Sequence, residues 1–80
     1  MAWKCEYTDT FSGEANYSWV RRETIAHVPG EKTPRTMRRA KAALGLTGLR
    51  GTTIALGDGF EFRPYGMCTV AFVQWTDLEE

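Results

Sequence analysis

The sequence predicts an α+β fold in which one amphipathic helix packs on one face of a four- to five-stranded antiparallel sheet. Three observations support this prediction: one run with helical periodicity, several short segments with alternating polarity, and turn residues between them. With 80 residues the chain has room for one domain. We expect that domain to span residues 1–76 and an acidic tail to occupy residues 77–80.

The first two strands are predicted from alternation and from aromatic and β-branched residues. In residues 2–8, Trp, Cys and Tyr alternate with polar side chains, as in a half-buried strand. Residues 9–16 are rich in turn formers and predict a loop. Residues 17–28 predict a long second strand, whose imperfect alternation at 21–23 indicates a bulge or a functional edge.

The clearest local feature is a basic amphipathic helix at residues 34–44. Thr33 suits the N-cap, and Pro34 suits the first helical position because its missing N–H would be unpaired there. Apolar side chains recur at helical spacing on one side of this segment and arginines on the other. Gly45 is placed to end the helix, with Leu46 next to fold back on it.

Three further strands complete the predicted sheet, in the order ββαβββ. Two alternating segments, 52–56 and 60–63, flank a Gly-Asp-Gly turn and predict a hairpin. We expect Ile54 and Leu56 to face the core together with the two phenylalanines of the second segment. Residues 67–75 predict the last strand, which is apolar on both faces and therefore typical of a central strand.

The sequence carries no recognisable catalytic or metal-binding pattern. It has one His and two Cys without ligand spacing, and no phosphate-binding glycine loop. We therefore expect no enzymatic activity, no cofactor, no metal and no small-molecule substrate. Cys5 and Cys68 are expected to be structural thiols buried in strands, and a disulfide between them would require those strands to be neighbours.

The chain also lacks an apolar run long enough to cross a bilayer and a signal-peptide stretch near Met1. We therefore expect a cytoplasmic protein that has no membrane partner.

Charge is strongly segregated along the chain. Residues 21–50 hold eight basic and two acidic residues, a net charge of +6, and the rest of the chain carries −6. Such a basic stretch can bind phosphate or an acidic protein surface. An equally good interpretation is that it forms a solvated helix face without a partner. The residues predicted to bind a partner are five arginines and two aromatic residues: Arg21, Arg22, Arg35, Arg38, Arg39, Tyr17 and Trp19.

Two kinds of partner fit this composition. Arginines interleaved with aromatic residues hold single-stranded nucleic acid by phosphate contact and base stacking. The same residue types dominate protein–protein hot spots. The alternative for Tyr17 and Trp19 is a place in the core.

Three segments resemble small proteins encoded by phages and mobile elements. The longest is YTDTFSGEANYSWVRR at residues 7–22, and the others are residues 39–48 and 63–66. Some phage proteins of this size are anti-CRISPR proteins, and the resemblance implies an inhibitor that binds a type I surveillance complex and blocks its recognition of target DNA. Its partner would then be the Cas proteins of the host bacterial cell.

This chain departs from the acidic DNA mimics common among such inhibitors, because it is neutral with a basic face. A basic face would instead dock on acidic effector surface or stabilise DNA contacts. The alternatives are a small nucleic-acid-binding module in phage gene regulation and an assembly accessory protein.

Overall fold

The computed structural model describes residues 1–76 and contains five antiparallel strands in one sheet with a single helix. The predicted acidic tail, residues 77–80, lies outside the described residues. The elements are β1 (Ala2–Phe11), β2 (Glu14–Ala26), α1 (Thr33–Ala43), β3 (Gly51–Leu56), β4 (Gly59–Pro64) and β5 (Thr69–Thr76). The predicted fold class and the order ββαβββ are confirmed.

The strands are arranged in the order β2-β1-β5-β4-β3. The last strand of the chain, β5, lies at the centre between β1 and β4, as its apolar residues predicted. Its neighbouring residues Val70 and Ala71 point to opposite faces, yet both are buried, at 0% and 1% exposure. The two edges of the sheet are β2 and β3.

The prediction of a loop at residues 9–16 is wrong. The strands β1 and β2 continue through this region to a tight turn at Ser12 and Gly13, which both have left-handed backbones with φ of 54° and 84°. The polar residues that suggested a loop are satisfied inside the hairpin, because the Asp9 carboxylate accepts hydrogen bonds from residues of β2. Polar composition therefore marks a hydrogen-bonded hairpin end here.

The helix supplies one layer of the core. Its buried side chains include Met37 and Ala40, and Leu44 follows at the C-cap with 1% exposure. They pack in one cluster with side chains from the sheet, among them Phe62 and Val73. Burying a Leu, Met, Phe or Val side chain completely contributes about 1.5–3 kcal/mol to folding.

Both ends of α1 show how local sequence sets its length. At the C-terminus Gly45 has φ of 77°, and the Leu46 N–H donates to the Lys41 carbonyl at 2.7 Å, which closes the helix as predicted. A β-carbon at position 45 would also lie 2.7 Å from a guanidinium nitrogen of Arg21. At the N-terminus the predicted cap is wrong, because Lys32 is the N-cap and makes no side-chain capping hydrogen bond.

Two further predictions about side chains are wrong. Ile54 and Leu56 are exposed, at 45% and 38%, because Ile54 pairs with Glu61 and so lies on the sheet face opposite Phe62. Cys68 precedes β5 and is exposed, whereas Cys5 is fully buried. Both thiols are free.

The helix lies towards one side of the sheet. It contacts β2 and covers buried side chains of β1 and β5, whereas every residue from Thr52 to Leu56 of β3 is exposed. We call β2, β1 and β5 the closed half of the sheet and β4 with β3 the open half. Within residues 1–76, no helix is long and apolar enough to cross a membrane.

Candidate functional site

A groove runs between α1 and the open half of the sheet. It is open to solvent and has a volume of about 680 Å³. Its lining residues are Pro34, Met37, Arg38, Lys41, Ala42, Thr47, Gly48, Leu49, Arg50, Thr53 and Phe62. Three of these residues are basic, and none of the described residues that line it is acidic. We call it the cationic groove.

One of its three cations is held in place by the fold. The Lys41 ammonium donates to the Leu49 carbonyl at 2.5 Å and lies 4.7 Å from the centre of the Phe62 ring. The hydrogen bond and the cation–π contact fix this charge on the floor of the groove. Lys41 therefore connects the helix to the turn that follows it, and its charge adds to the field of the groove.

The other two cations are available to a partner. Arg38 and Arg50 are exposed, and the side chain of neither forms a hydrogen bond or ion pair with any residue of the described range 1–76. Arg38 lies on the helix wall and Arg50 comes at the end of the turn that leads into β3. A guanidinium group presents a planar set of N–H donors that matches a carboxylate or phosphate.

The groove exists because α1 is tied to the opposite edge of the sheet. The Arg21 guanidinium of β2 donates to the Leu44 carbonyl at 2.7 Å, which satisfies an unpaired carbonyl at the helix C-terminus. The Arg39 guanidinium of α1 donates to the Ala26 carbonyl of β2 at 2.8 Å. These two contacts hold the helix over the closed half and leave β3 uncovered.

The predicted partner-binding arginines therefore separate into several groups. Arg21 and Arg39 connect α1 to β2, and Arg39 also forms a salt bridge with Glu31 at 2.7 Å. Arg22 points to the other face of β2, where it pairs with Glu6 at 2.7 Å. Only Arg35 and Arg38 lie exposed on the helix without such a bond, and only Arg38 lines the cationic groove.

The predicted aromatic pair lies on β2, away from the groove wall. Tyr17 and Trp19 are 46% and 44% exposed, so they are not core residues. The Trp19 ring packs edge-on against Tyr7 with 5.2 Å between ring centres. Between the pairs Thr8–Val20 and Thr10–Ala15, four residues of β2 stand opposite one residue of β1, so the irregularity lies at 16–19 and not at 21–23.

Tyr17 has a strained backbone. Its φ of 55° lies in the left-handed region, which is rare for a bulky residue. Its N–H donates to the Thr8 hydroxyl at 3.1 Å, and the next N–H, of Ser18, donates to the Asp9 carboxylate at 3.0 Å. These bonds from β1 hold the irregular segment in shape, with both of its aromatic rings partly exposed.

Structural contacts shift the pKa values of three groups, two on β1 and one in the loop that precedes α1. Hydrogen bonds from the Ser18 and Asn16 side chains lower the pKa of Asp9 to about 2. Hydrogen bonds from Arg39 and Thr36 lower the pKa of Glu31 to about 2. Burial raises the pKa of the Cys5 thiol to about 11. The lowered pKa values favour the charged carboxylates of Asp9 and Glu31, and the raised pKa favours the neutral thiol of Cys5.

No metal site is formed by the described part of the chain. Among residues 1–76, the His, Cys, Asp and Glu side chains do not gather in groups of three or more that would hold an ion.

Two groove residues, Lys41 and Arg50, were missing from the predicted site. Arg38 and Lys41 stand three positions apart, which places them on one side of a helix, and this spacing was a usable signal. Arg50 had no such signal, because its position depends on the path of the turn after Gly45.

Comparisons with known proteins identify no relative of this chain. The chain matches no protein-family model, no curated protein and no solved structure.

Proposed function

We propose that this protein is a non-enzymatic binding protein whose cationic groove docks on an anionic partner. The observation that supports this is the pair Arg38 and Arg50, two exposed guanidinium groups without a bond in residues 1–76 beside an apolar floor. Exposed charges contribute little to folding, so these groups are available for recognition. Their planar donors bind carboxylates or phosphates in pairs.

The biological partner that we propose is a type I CRISPR surveillance complex of a host bacterial cell. The resemblance of residues 7–22 to small phage proteins supplies this target class. The groove suits an acidic surface of a Cas subunit, and docking there would block the recognition of target DNA. An excess of positive charge at the contact would also speed the encounter at low salt.

Direct binding of nucleic acid is the weaker alternative. Single-stranded nucleic acid is held by phosphate contacts and by stacking on aromatic rings along the same path. The aromatic ring of the groove, Phe62, is only 3% exposed and so offers no stacking surface. The exposed rings of Tyr17 and Trp19 are not among the groove residues.

The test is a phage-plaquing assay in hosts that carry an active type I system. We expect the wild-type protein to restore plaques and the variant Arg38→Glu/Arg50→Glu to lose this effect. The matched control is Lys4→Glu/Lys32→Glu, which changes the net charge equally at exposed positions outside the groove. Both variants are first shown to fold by circular dichroism.

The same hosts provide a pull-down with and without nuclease. A nuclease-resistant complex with Cas proteins, lost in the groove variant and kept in the control, supports the proposal. Unchanged phage restriction across several type I subtypes would contradict the target class. Loss of every partner on nuclease treatment would instead favour nucleic acid.

A further inference from the structure

The edge strand β3 lacks the features that protect sheet edges from pairing. Natural edge strands carry charges, prolines or bulges that block a further strand. The β3 segment Gly51–Leu56 contains only Gly, Thr, Ile, Ala and Leu. Within the described residues it pairs with β4 on one side, and it forms the end of the sheet on the other.

The hydrogen-bond pattern shows which backbone groups of β3 point outwards. The Tyr65 N–H donates to the Arg50 carbonyl at 2.9 Å, so Arg50 faces β4. Orientation alternates along an antiparallel strand, so Thr53 and Ala55 direct their N–H and C=O groups away from β4. Gly51 also directs its N–H and C=O groups away from β4. Its partner is Pro64, which has no N–H to donate to β3, so no hydrogen bond is expected at this pair.

The two faces beside this edge differ in chemistry. On the helix side, Thr53 lines the cationic groove, whose helix wall carries the exposed Arg38. On the other side, the apolar side chains of Ile54 and Leu56 are 45% and 38% exposed. A strand added about 4.8 Å from β3 would direct alternate side chains to these two faces.

We propose that β3 pairs with an extended segment of the partner in which acidic and apolar residues alternate. This proposal rests on the proposed function and specifies its mode, which is strand addition at the sheet edge. The acidic side chains enter the cationic groove beside Arg38, and the apolar side chains lie beside Ile54 and Leu56. Backbone hydrogen bonds supply affinity, and the alternation supplies specificity.

Charge favours such a partner over a second copy of this chain. Symmetric antiparallel pairing of two β3 strands would place both helices on the same face of a continuous sheet. The two cationic grooves would then face each other across the joined edges, with no acidic groove residue to offset their charges. An acidic segment removes this repulsion.

The test uses the whole protein and a synthetic peptide of alternating glutamate and valine. NMR-detected amide exchange is measured with and without the peptide. We expect the outward amides of Thr53 and Ala55 to slow by about tenfold or more when the peptide binds. The amides of Thr52 and Ile54, which already face β4, change little. A peptide with lysine in place of glutamate is the control and is expected not to bind.

Two variants separate the two parts of the proposal. Thr53→Pro removes one outward N–H at a position that an edge strand tolerates, and it is expected to weaken peptide binding about tenfold. Thr53→Val alters the same side chain without removing the N–H and is expected to bind like the wild type. If Thr53→Pro does not fold, the exchange data on the wild type decide.

Each outcome has a distinct meaning. Salt-sensitive binding that is lost in Arg38→Glu/Arg50→Glu, without protection of Thr53 and Ala55, overturns strand addition and leaves the proposed function standing. No binding of the peptide and no effect of the groove variant on plaquing contradict both. Preferential binding of single-stranded DNA, or protection of these amides by dimerisation alone, also overturns the proposal.

Discussion

The two edges of the sheet use their side chains in opposite ways. The β2 edge is long, carries Arg21, Arg22 and Glu23 in sequence, and is tied to α1 by two guanidinium hydrogen bonds. The β3 edge is short, uncharged and exposed, and it lies beside the cationic groove. Arg21 and Arg39 connect β2 to the helix, whereas the side chains of the groove arginines Arg38 and Arg50 have no partner among the described residues.

This difference shows that a basic stretch is not a binding surface as a whole. Of the predicted arginines, Arg21 and Arg39 are engaged by backbone carbonyls, and Arg22 is engaged by Glu6. Arg38 and Arg50 combine exposure, a neighbouring groove and the absence of side-chain bonds within residues 1–76. The closed half therefore maintains the fold, and the open half offers the surface for recognition.

The largest effect is expected from a matched pair of leucine truncations. Leu44→Ala in the closed half removes a side chain that is 1% exposed, and it should lower the free energy of unfolding by about 3 kcal/mol. Leu56→Ala in the open half removes one that is 38% exposed, and it should cost less than about 1 kcal/mol. Urea unfolding measures both, and equal losses would contradict the division of the sheet.

A smaller effect separates the two classes of arginine. Arg21→Gln removes the donor to the Leu44 carbonyl at the end of α1, and it should destabilise the protein by about 1 kcal/mol. Arg38→Gln removes no bond within residues 1–76 and should stay within about 0.5 kcal/mol of the wild type. Thermal unfolding of both variants checks this. A larger loss of stability in Arg38→Gln than in Arg21→Gln would show that Arg38 stabilises the fold.

Acid should weaken the attachment of the helix through Glu31, which pairs with Arg39 of α1. Its pKa of about 2 lies below its ordinary value of 4.5, mainly because Arg39 hydrogen-bonds to the carboxylate. A lowered folded-state pKa means that the stabilisation is complete above pH 4.5 and is lost as the pH falls towards 2. The wild type should therefore lose its advantage over Glu31→Gln across this range, as measured by urea midpoints. An advantage that persists at pH 2 would contradict the ion pair.

The smallest expected effect is a gain in stability at Tyr17. Asparagine tolerates the left-handed backbone that Tyr17 adopts, so Tyr17→Asn should raise stability by about 0.5 kcal/mol. Chemical unfolding with replicate measurements resolves a change of this size. A loss of stability would show that the half-exposed ring contributes more packing than its backbone strain costs.

Local sequence predicted the parts of the fold that depend on local physics. The predicted helix, residues 34–44, agrees with α1 to within one residue at each end, because Pro34 and Gly45 set its limits. The central position of β5 followed from its continuous apolar residues. The predicted loop at 9–16 failed because the Asp9 carboxylate bonds across the hairpin.

The remaining errors concern register and tertiary contacts. Alternation in a sequence separates the two faces of a strand but does not tell which face is buried. The pairing of Ile54 with Glu61 shows that Ile54 points away from the core. The roles of Arg21 and Arg39 likewise depend on which carbonyl lies within reach once α1 is docked. The basic stretch was visible in the sequence, but the groove that selects Arg38 and Arg50 from it depends on the fold.

The most direct test of the account is the affinity of a purified type I surveillance complex for three forms of this protein. Titration calorimetry would compare the wild type, Arg38→Glu/Arg50→Glu in the open half, and the charge-matched Lys4→Glu/Lys32→Glu outside the groove. The account predicts that the groove variant binds at least about tenfold more weakly, while the control stays within about threefold of the wild type. Equal losses in both variants, or no loss in the groove variant, would contradict it.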